Sequence, residues 1–214
     1  MAARAPFKAL LIEGTSGVGK STLIDGLLRR HVESAAPRKI RSLVHLAQSH
    51  TYGPLAVRED CGLTVEENVA HLDRIVGTLE WLHASVQEHT RPWCFVVMDT
   101  MHLTHCVRPG VVKWADVAKV DGRMAAIGCK LIFLRASSKA IWQRGIEPRV
   151  NEQFLLEYAR KFGKNNHEIH SYFVREQEKL GDLFSNSVMD KVLVQNDCSV
   201  GDSVDAAYEF WMRD

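Results

Sequence analysis

Apolar residues along the chain follow two spacings, short continuous runs and longer stretches in which they recur every three or four positions. Short runs predict buried strands, and the longer spacing predicts helices with one apolar face. The expected strands are residues 9–12, 40–47, 93–98, 130–134 and 191–194. The expected helices are one that begins near residue 20, then residues 65–89, 111–127 with an interruption near Gly122, 151–184, and 204–212. Strands that alternate with helices predict an α/β fold with an open five-stranded parallel sheet and helices on both faces.

The junction between the first strand and the first helix carries a glycine-rich motif. Residues 14–21, which we call the phosphate loop, match Gly-x-x-x-x-Gly-Lys-Ser/Thr at every fixed position. In this context, backbone N–H groups and the positive end of the helix dipole bind phosphate oxygens. The motif therefore predicts a P-loop NTPase that binds ATP and Mg²⁺. The expected nucleotide-binding residues are Gly14, Thr15, Ser16, Gly17, Val18, Gly19, Lys20, Ser21 and Thr22.

Within this loop, Lys20 and Ser21 have separate expected roles. Lys20 is expected to be catalytic by contacting the β- and γ-phosphates, and to face solvent when the loop is empty. The Ser21 hydroxyl is expected to ligate Mg²⁺. Asp99 follows a buried strand and is expected to hold the same metal from the opposite side, with the capping of a turn as its alternative role.

Composition excludes several classes of protein. The 214 residues predict a single domain, 1–214, and 27 basic against 26 acidic residues give no basic surface for nucleic acid. No apolar run is long enough to span a membrane or to serve as a secretory signal. The five cysteines are scattered without a C-x-x-C pair, which is typical of reduced thiols in a cytoplasmic protein.

Two further groups of residues are candidates for the chemistry. Arg144 and Arg149 lie in residues 136–150, and the sequence predicts an arginine-bearing lid there or, alternatively, an ordinary solvated loop. Gln48 and Tyr52 follow the second strand and, with His102, are expected to line an acceptor pocket, unless residues 48–52 form a plain surface loop. Tyr52 suits stacking on a flat ring, and Gln48 suits hydrogen bonds to its edge. His102, His105 and Cys106 match no zinc pattern.

A resemblance to a known group of enzymes rests on residues 12–22. Ile12-Glu13-Gly14, followed by Gly17-Val18-Gly19-Lys20-Ser21-Thr22, is similar to the opening of thymidylate kinases and deoxynucleoside kinases. The resemblance extends more weakly over the whole chain. It implies that Arg144 and Arg149 close over ATP, that Asn196 and Asp197 border the adenine, and that residues 65–89 form the interface of a homodimer.

The chain departs from these kinases on the acceptor side. They carry arginine after the strand-end acid, where this chain has Thr100, and deoxynucleoside kinases carry a glutamate base where this chain reads Gln48-Ser49-His50. An acceptor that already bears phosphate would need a cation, for which Arg58, Arg108 and Arg123 are candidates.

The expected function is ATP- and Mg²⁺-dependent transfer of the γ-phosphoryl group to a nucleoside or nucleoside monophosphate. The alternative is a phosphotransferase for a non-nucleotide hydroxyl compound, such as an antibiotic or a metabolite. A third hypothesis is a module that binds a nucleotide without catalysing its turnover. A regulatory GTPase would need Asn-Lys-x-Asp, which the sequence lacks.

Overall fold

The computed structural model describes residues 7–34, 41–52, 64–88, 93–108, 112–148, 160–197 and 199–213. Its strands are β1 Phe7–Glu13, β2 Arg41–Leu46, β3 Trp93–Asp99, β4 Lys130–Arg135 and β5 Asp190–Gln195. Its helices are α1 Lys20–Glu33, α2 Gln48–Thr51, α3 Val65–Glu88, α4 His102–Val107, α5 Trp114–Ala126, α6 Ser138–Gly145, α7 Asn166–Asn186 and α8 Val200–Met212.

The five strands form one parallel sheet in the order β2-β3-β1-β4-β5. The central strand, β1, is buried on both faces, which explains its continuous apolar run. Ile12 on β1 pairs in register with Asp99 on β3, so the ends of these two strands lie side by side. The phosphate loop and Asp99 therefore meet at the carboxyl edge of the sheet, where ligands bind in open α/β folds.

Helices cover both faces of the sheet, as predicted. Leu10 and Ile12 of β1 point into a core formed with α1, α6, α7 and α8. Leu11, the residue between them, points into the opposite core, formed mainly with α3 and α5. Because successive side chains of a strand face opposite ways, one apolar run supplies both cores. The predicted fold class, an α/β protein with an open five-stranded parallel sheet, is confirmed.

Several helix boundaries differ from the predicted ones. Helix α5 is continuous through Gly122, so the expected interruption is wrong; a single glycine costs a helix only about 1 kcal/mol. Helix α7 begins after Asn165, whose side chain accepts a hydrogen bond from the Glu168 amide; residues 151–159 lie outside the described residues. Helices α2 and α4, which are short and have weak periodicity, were not predicted. None of the described helices has the length and apolarity needed to cross a membrane.

Candidate active site

The phosphate loop turns sharply between β1 and α1. Gly17 and Gly19 have left-handed backbones, with φ of 84° and 95°. Glycine adopts this conformation without steric cost. A Cβ atom at position 17 would lie 2.8 Å from the Gly145 Cα atom, and one at position 19 would lie 2.6 Å from the Asn196 side-chain nitrogen. Both glycines are therefore required by the backbone and by the close packing around it.

Lys20 lies inside the loop, and the expectation that it faces solvent is wrong. Its side chain is buried, and its Nζ atom donates hydrogen bonds to the carbonyl oxygens of Gly14, at 2.7 Å, and Thr15, at 3.2 Å. Burial lowers the pKa of Lys20, while the nearby Asp99 carboxylate opposes that shift. The ammonium group is thus held across the loop by backbone carbonyls, because a buried cation needs hydrogen-bond acceptors.

An open cavity of about 380 Å³ lies over the phosphate loop. It is bordered by Thr15, Ser16, Gly17, Gly19, Lys20, Ser21, Thr22, Gln48, Asp99 and Arg144. Three segments distant in sequence therefore meet the loop at one cavity. Gln48, Asp99 and Arg144 border this cavity together, and their expected roles toward acceptor, metal and ATP stay predictions.

Asp99 ends β3 at the cavity wall. Its Oδ1 atom accepts a hydrogen bond of 2.8 Å from the Thr100 hydroxyl, and Thr100 has a left-handed backbone with φ of 62°. The Asp99 carboxylate and the Ser21 hydroxyl border the same cavity and offer the hard oxygen ligands that Mg²⁺ prefers. Among the described residues, no group of three or more His, Cys, Asp or Glu side chains could hold a metal by itself.

Glu13, the last residue of β1, organises the chain that follows Asp99. Its carboxylate is fully buried and accepts hydrogen bonds from the Met101 amide at 2.8 Å, the Leu103 amide at 3.2 Å and the Thr104 hydroxyl at 2.7 Å. Burial raises the pKa of Glu13, and the nearby His102 together with the hydrogen bonds from Thr104 and Met101 opposes that shift. Glu13 thereby fixes the start of α4, a role that the motif alone does not indicate.

The chain after β5 supports the loop. The buried Asn196 side chain donates a 2.6 Å hydrogen bond to the Val18 carbonyl, and the backbone carbonyl oxygen of Asn196 accepts a 2.6 Å bond from the Arg144 guanidinium. Asp197 accepts from the Ser137 amide at 2.7 Å, and this bond is the main reason that its pKa is lowered. Asn196 and Asp197 thus lie beside the loop and α6; their expected contact with adenine stays a prediction. Arg149 lies outside the described residues.

Tyr52 and His102 do not border the cavity, contrary to the expectation for an acceptor pocket. The Tyr52 ring is buried, with the His105 ring edge-on at 5.3 Å and the Arg108 guanidinium 5.7 Å from its centroid. His102 is fully buried, and its Nε2 atom lies 3.0 Å from Asp121 of α5. The unpredicted helices α2 and α4 turn these two side chains into the protein interior.

A buried ion pair lies against the loop. The Arg108 guanidinium donates to the Glu176 carboxylate at 2.8 Å and to the Ser16 hydroxyl at 3.1 Å. The Thr15 hydroxyl donates to the other oxygen of Glu176. Glu176 lies in the middle of α7, and its position in the sequence gave no sign of this role. Arg123, another candidate cation for an acceptor phosphate, instead pairs with Asp73 and Glu80.

The parallel sheet and the glycine-rich loop between its central strand and α1 define a P-loop α/β fold. No family model and no curated protein matches the chain. The structure is similar to that of the YorR protein from Bacillus subtilis in complex with phosphorylated GDP, with a TM-score of 0.57 and 13% identity over 94% of this chain and 92% of that chain. It also resembles shikimate kinase from Acinetobacter baumannii in complex with shikimate, with a TM-score of 0.47 and 13% identity over 95% and 90% of the two chains. At this identity, the likeness to YorR shows the fold.

Proposed function

We propose that this chain is an ATP- and Mg²⁺-dependent phosphotransferase that acts on a small-molecule hydroxyl group. One observation supports this most directly: the phosphate loop, a buried lysine, a strand-end carboxylate, an arginine and a glutamine border one cavity of about 380 Å³. A loop that only binds a nucleotide needs the glycine-rich backbone and the lysine, but not the other three groups. The additional groups border the same cavity, in which we expect the acceptor to meet the γ-phosphate.

Each residue of the cavity has a distinct part in this reaction. Lys20 and the loop amides bind the phosphates and stabilise the charge that develops on them. Ser21 and Asp99 would hold Mg²⁺, which neutralises the β- and γ-phosphate oxygens when bound. Arg144 approaches from α6 and is positioned to pair with the transferring group. The acceptor oxygen forms the new bond to phosphorus as the bond to the ADP oxygen breaks, and the hydroxyl proton passes to solvent or, if Asp99 serves as the base instead of a metal ligand, to its carboxylate.

We propose a nucleoside or nucleoside monophosphate as the acceptor. This choice rests on the similarity of residues 12–22 to thymidylate and deoxynucleoside kinases and on Gln48, whose amide can both donate to and accept from the edge of a base. The binding of phosphorylated GDP by YorR is a reason to test GTP beside ATP as the donor.

One observation favours the alternative, a non-nucleotide hydroxyl compound. The described residues that border the cavity include no aromatic side chain, and the Tyr52 ring is buried against His105 and Arg108 instead. A base in this cavity would therefore lack the stacking partner that the sequence predicted.

The test is a panel of nucleosides, nucleoside monophosphates and other hydroxyl compounds, each incubated with Mg²⁺ and ATP or GTP. We expect one acceptor class to give acceptor-dependent ADP or GDP release and a phosphorylated product. Lys20→Met keeps the apolar stem and removes the charge, so it should lower kcat/KM about 100-fold or more. Transfer at the wild-type rate in a folded Lys20→Met variant, or no transfer to any acceptor by the wild type, would contradict the proposal.

A further inference from the structure

Thr51, the last residue of α2, is bound on three sides within the protein. Its side chain is buried, and its hydroxyl donates a 2.7 Å hydrogen bond to the Asp99 carbonyl. Its own carbonyl oxygen lies 2.8 Å from His71 Nε2 on α3 and 3.1 Å from His105 Nε2 on α4. We call Thr51, His71 and His105 the Thr51 clamp. The clamp joins α2 to the end of β3 and to two other helices.

The two imidazole rings act as paired donors. They are nearly parallel, with an interplanar angle of 15° and centroids 6.2 Å apart. A carbonyl oxygen can only accept, so a hydrogen bond to it requires the hydrogen on Nε2 of each ring. Burial lowers the pKa of His105 to about 3, so this ring stays neutral at physiological pH and keeps a single N–H. We place that hydrogen on Nε2, because the Thr51 carbonyl at 3.1 Å is nearer than the Asn68 side-chain oxygen, which lies 3.3 Å from Nδ1.

Helix α2 depends on these contacts for its position. It has only four residues, no side-chain hydrogen bond at its N-cap, and a length at which a helix is not stable alone. Gln48, its first residue, borders the cavity, while Thr51 lies one turn later in the interior. The bonds to Thr51 therefore set where the Gln48 side chain lies relative to Asp99 and the phosphate loop.

We propose that His71 and His105 are positioning residues for the acceptor, because they hold α2 so that Gln48 faces the acceptor side of the cavity. This inference rests on the proposed phosphotransferase function. It assigns specificity to two histidines that border neither the cavity nor the phosphate loop. Donor binding depends mainly on the phosphate loop and Lys20, and neither histidine borders the cavity over that loop, so a substitution of His71 should affect the acceptor more than ATP.

The test compares two substitutions of His71, which is only half-buried and so tolerates change. His71→Leu removes the donor, whereas the side-chain amide nitrogen of His71→Gln restores a donor close to the original Nε2 position. We expect His71→Leu to raise the KM for the acceptor about fivefold to tenfold, the effect of one lost hydrogen bond, and to leave the KM for ATP within about twofold. His71→Gln should return the acceptor KM toward the wild-type value.

The control is His83→Leu. His83 is a half-buried histidine on the same helix whose ring packs against Phe7 instead of Thr51, so its removal should leave the acceptor KM unchanged. Hydrogen exchange of residues 47–52 supplies a readout that needs no activity. The amides of His50 and Tyr52, which bond within this segment, should exchange faster in His71→Leu and at the wild-type rate in His71→Gln.

The outcomes separate the inference from the function on which it rests. A wild-type protein that phosphorylates no acceptor overturns the proposed function, while the exchange measurement still reports on the clamp. An active wild type with an unchanged acceptor KM in His71→Leu overturns the positioning role. Unchanged exchange in that variant overturns the clamp itself. An equal rise in the KM values for acceptor and ATP overturns the specific role of the clamp on the acceptor side.

Discussion

Among individual residues, Glu13 belongs to the nucleotide-binding motif and also holds a second part of the fold in place. It belongs to the Ile-Glu-Gly opening of the phosphate loop, yet its carboxylate bonds to Met101, Leu103 and Thr104 at the start of α4. The loop on β1 and the chain after Asp99 are thus fixed by one buried group. The arrangement costs stability whenever the carboxyl group ionises, because its pKa is raised by burial.

Glu13→Gln should keep the hydrogen bonds, with the Thr104 hydroxyl turned to accept, and remove the buried charge. A raised folded pKa means that wild-type stability is complete below the ordinary value of 4.5 and is lost as pH rises through the folded pKa. We therefore expect the variant to unfold like the wild type at pH 4 and to be more stable, by about 1 kcal/mol or more, at pH 7. Denaturant unfolding across this range measures the difference. The exposed substitution Glu178→Gln should show no comparable pH-dependent gain.

Among the elements, α6 is placed by its contact with the phosphate loop. Its last residue, Gly145, packs directly on Gly17, and its Arg144 side chain bonds to the Asn196 carbonyl beside the loop. The segment predicted as an arginine-bearing lid therefore contains a helix seated on the loop. Closure of that helix over ATP stays a prediction, and the position of Arg144 supports it.

Gly17→Ala should disrupt this contact. The added methyl group would lie 2.8 Å from the Gly145 Cα atom, and alanine disfavours the φ of 84° at this position. We expect a loss of about 1–3 kcal/mol in the free energy of unfolding and weaker ATP binding. Calorimetry of unfolding and of ATP binding measures both.

Gly77→Ala is the matched control. Gly77 lies on α3, and a methyl group added there would have no neighbour within 4 Å. This change should stabilise the protein by about 0.5–1 kcal/mol, because alanine is the better helix former. Equal stability and ATP affinity in Gly17→Ala and the wild type would show that α6 does not rest on the loop.

In the molecule as a whole, the pair Arg108–Glu176 connects parts of the chain that are far apart in sequence. Arg108 follows α4, Glu176 lies on α7, and both contact the phosphate loop through Ser16 and Thr15. The side chains of the pair are 4% and 1% exposed, so each charge depends on the other for compensation.

Replacing one member of this ion pair should therefore cost more stability than replacing both members together. We expect Arg108→Met and Glu176→Met each to lose about 3–5 kcal/mol of stability, because each leaves an uncompensated buried charge. The double variant should lose clearly less than the sum of the two single changes. A double-mutant cycle from denaturant unfolding measures this coupling, and strictly additive losses would contradict it.

The apolar pattern of the chain was sufficient to predict the sheet and the long helices. Continuous runs such as residues 93–98 are too short for a helix and indicate buried strands. The sequence from Thr64 to Glu67 matches a capping box, and the structure has both of its reciprocal hydrogen bonds at 3.1 Å. The phosphate loop could also be predicted from the sequence, because its glycines, Lys20 and Ser21 act through local backbone geometry. These features depend on residues that are close together in the chain.

The acceptor side depends on contacts between distant residues, so local patterns could not predict it. Helix α2 has too few residues for a periodic signal, and its position follows from His71, His105 and Asp99. The same packing buries Tyr52, which the sequence placed at the cavity, and leaves Gln48 there. Glu176 pairs with Arg108 across 68 positions of the chain. Such partners come together only when helices from different parts of the chain pack on one sheet, because burial and charge compensation are properties of the folded molecule.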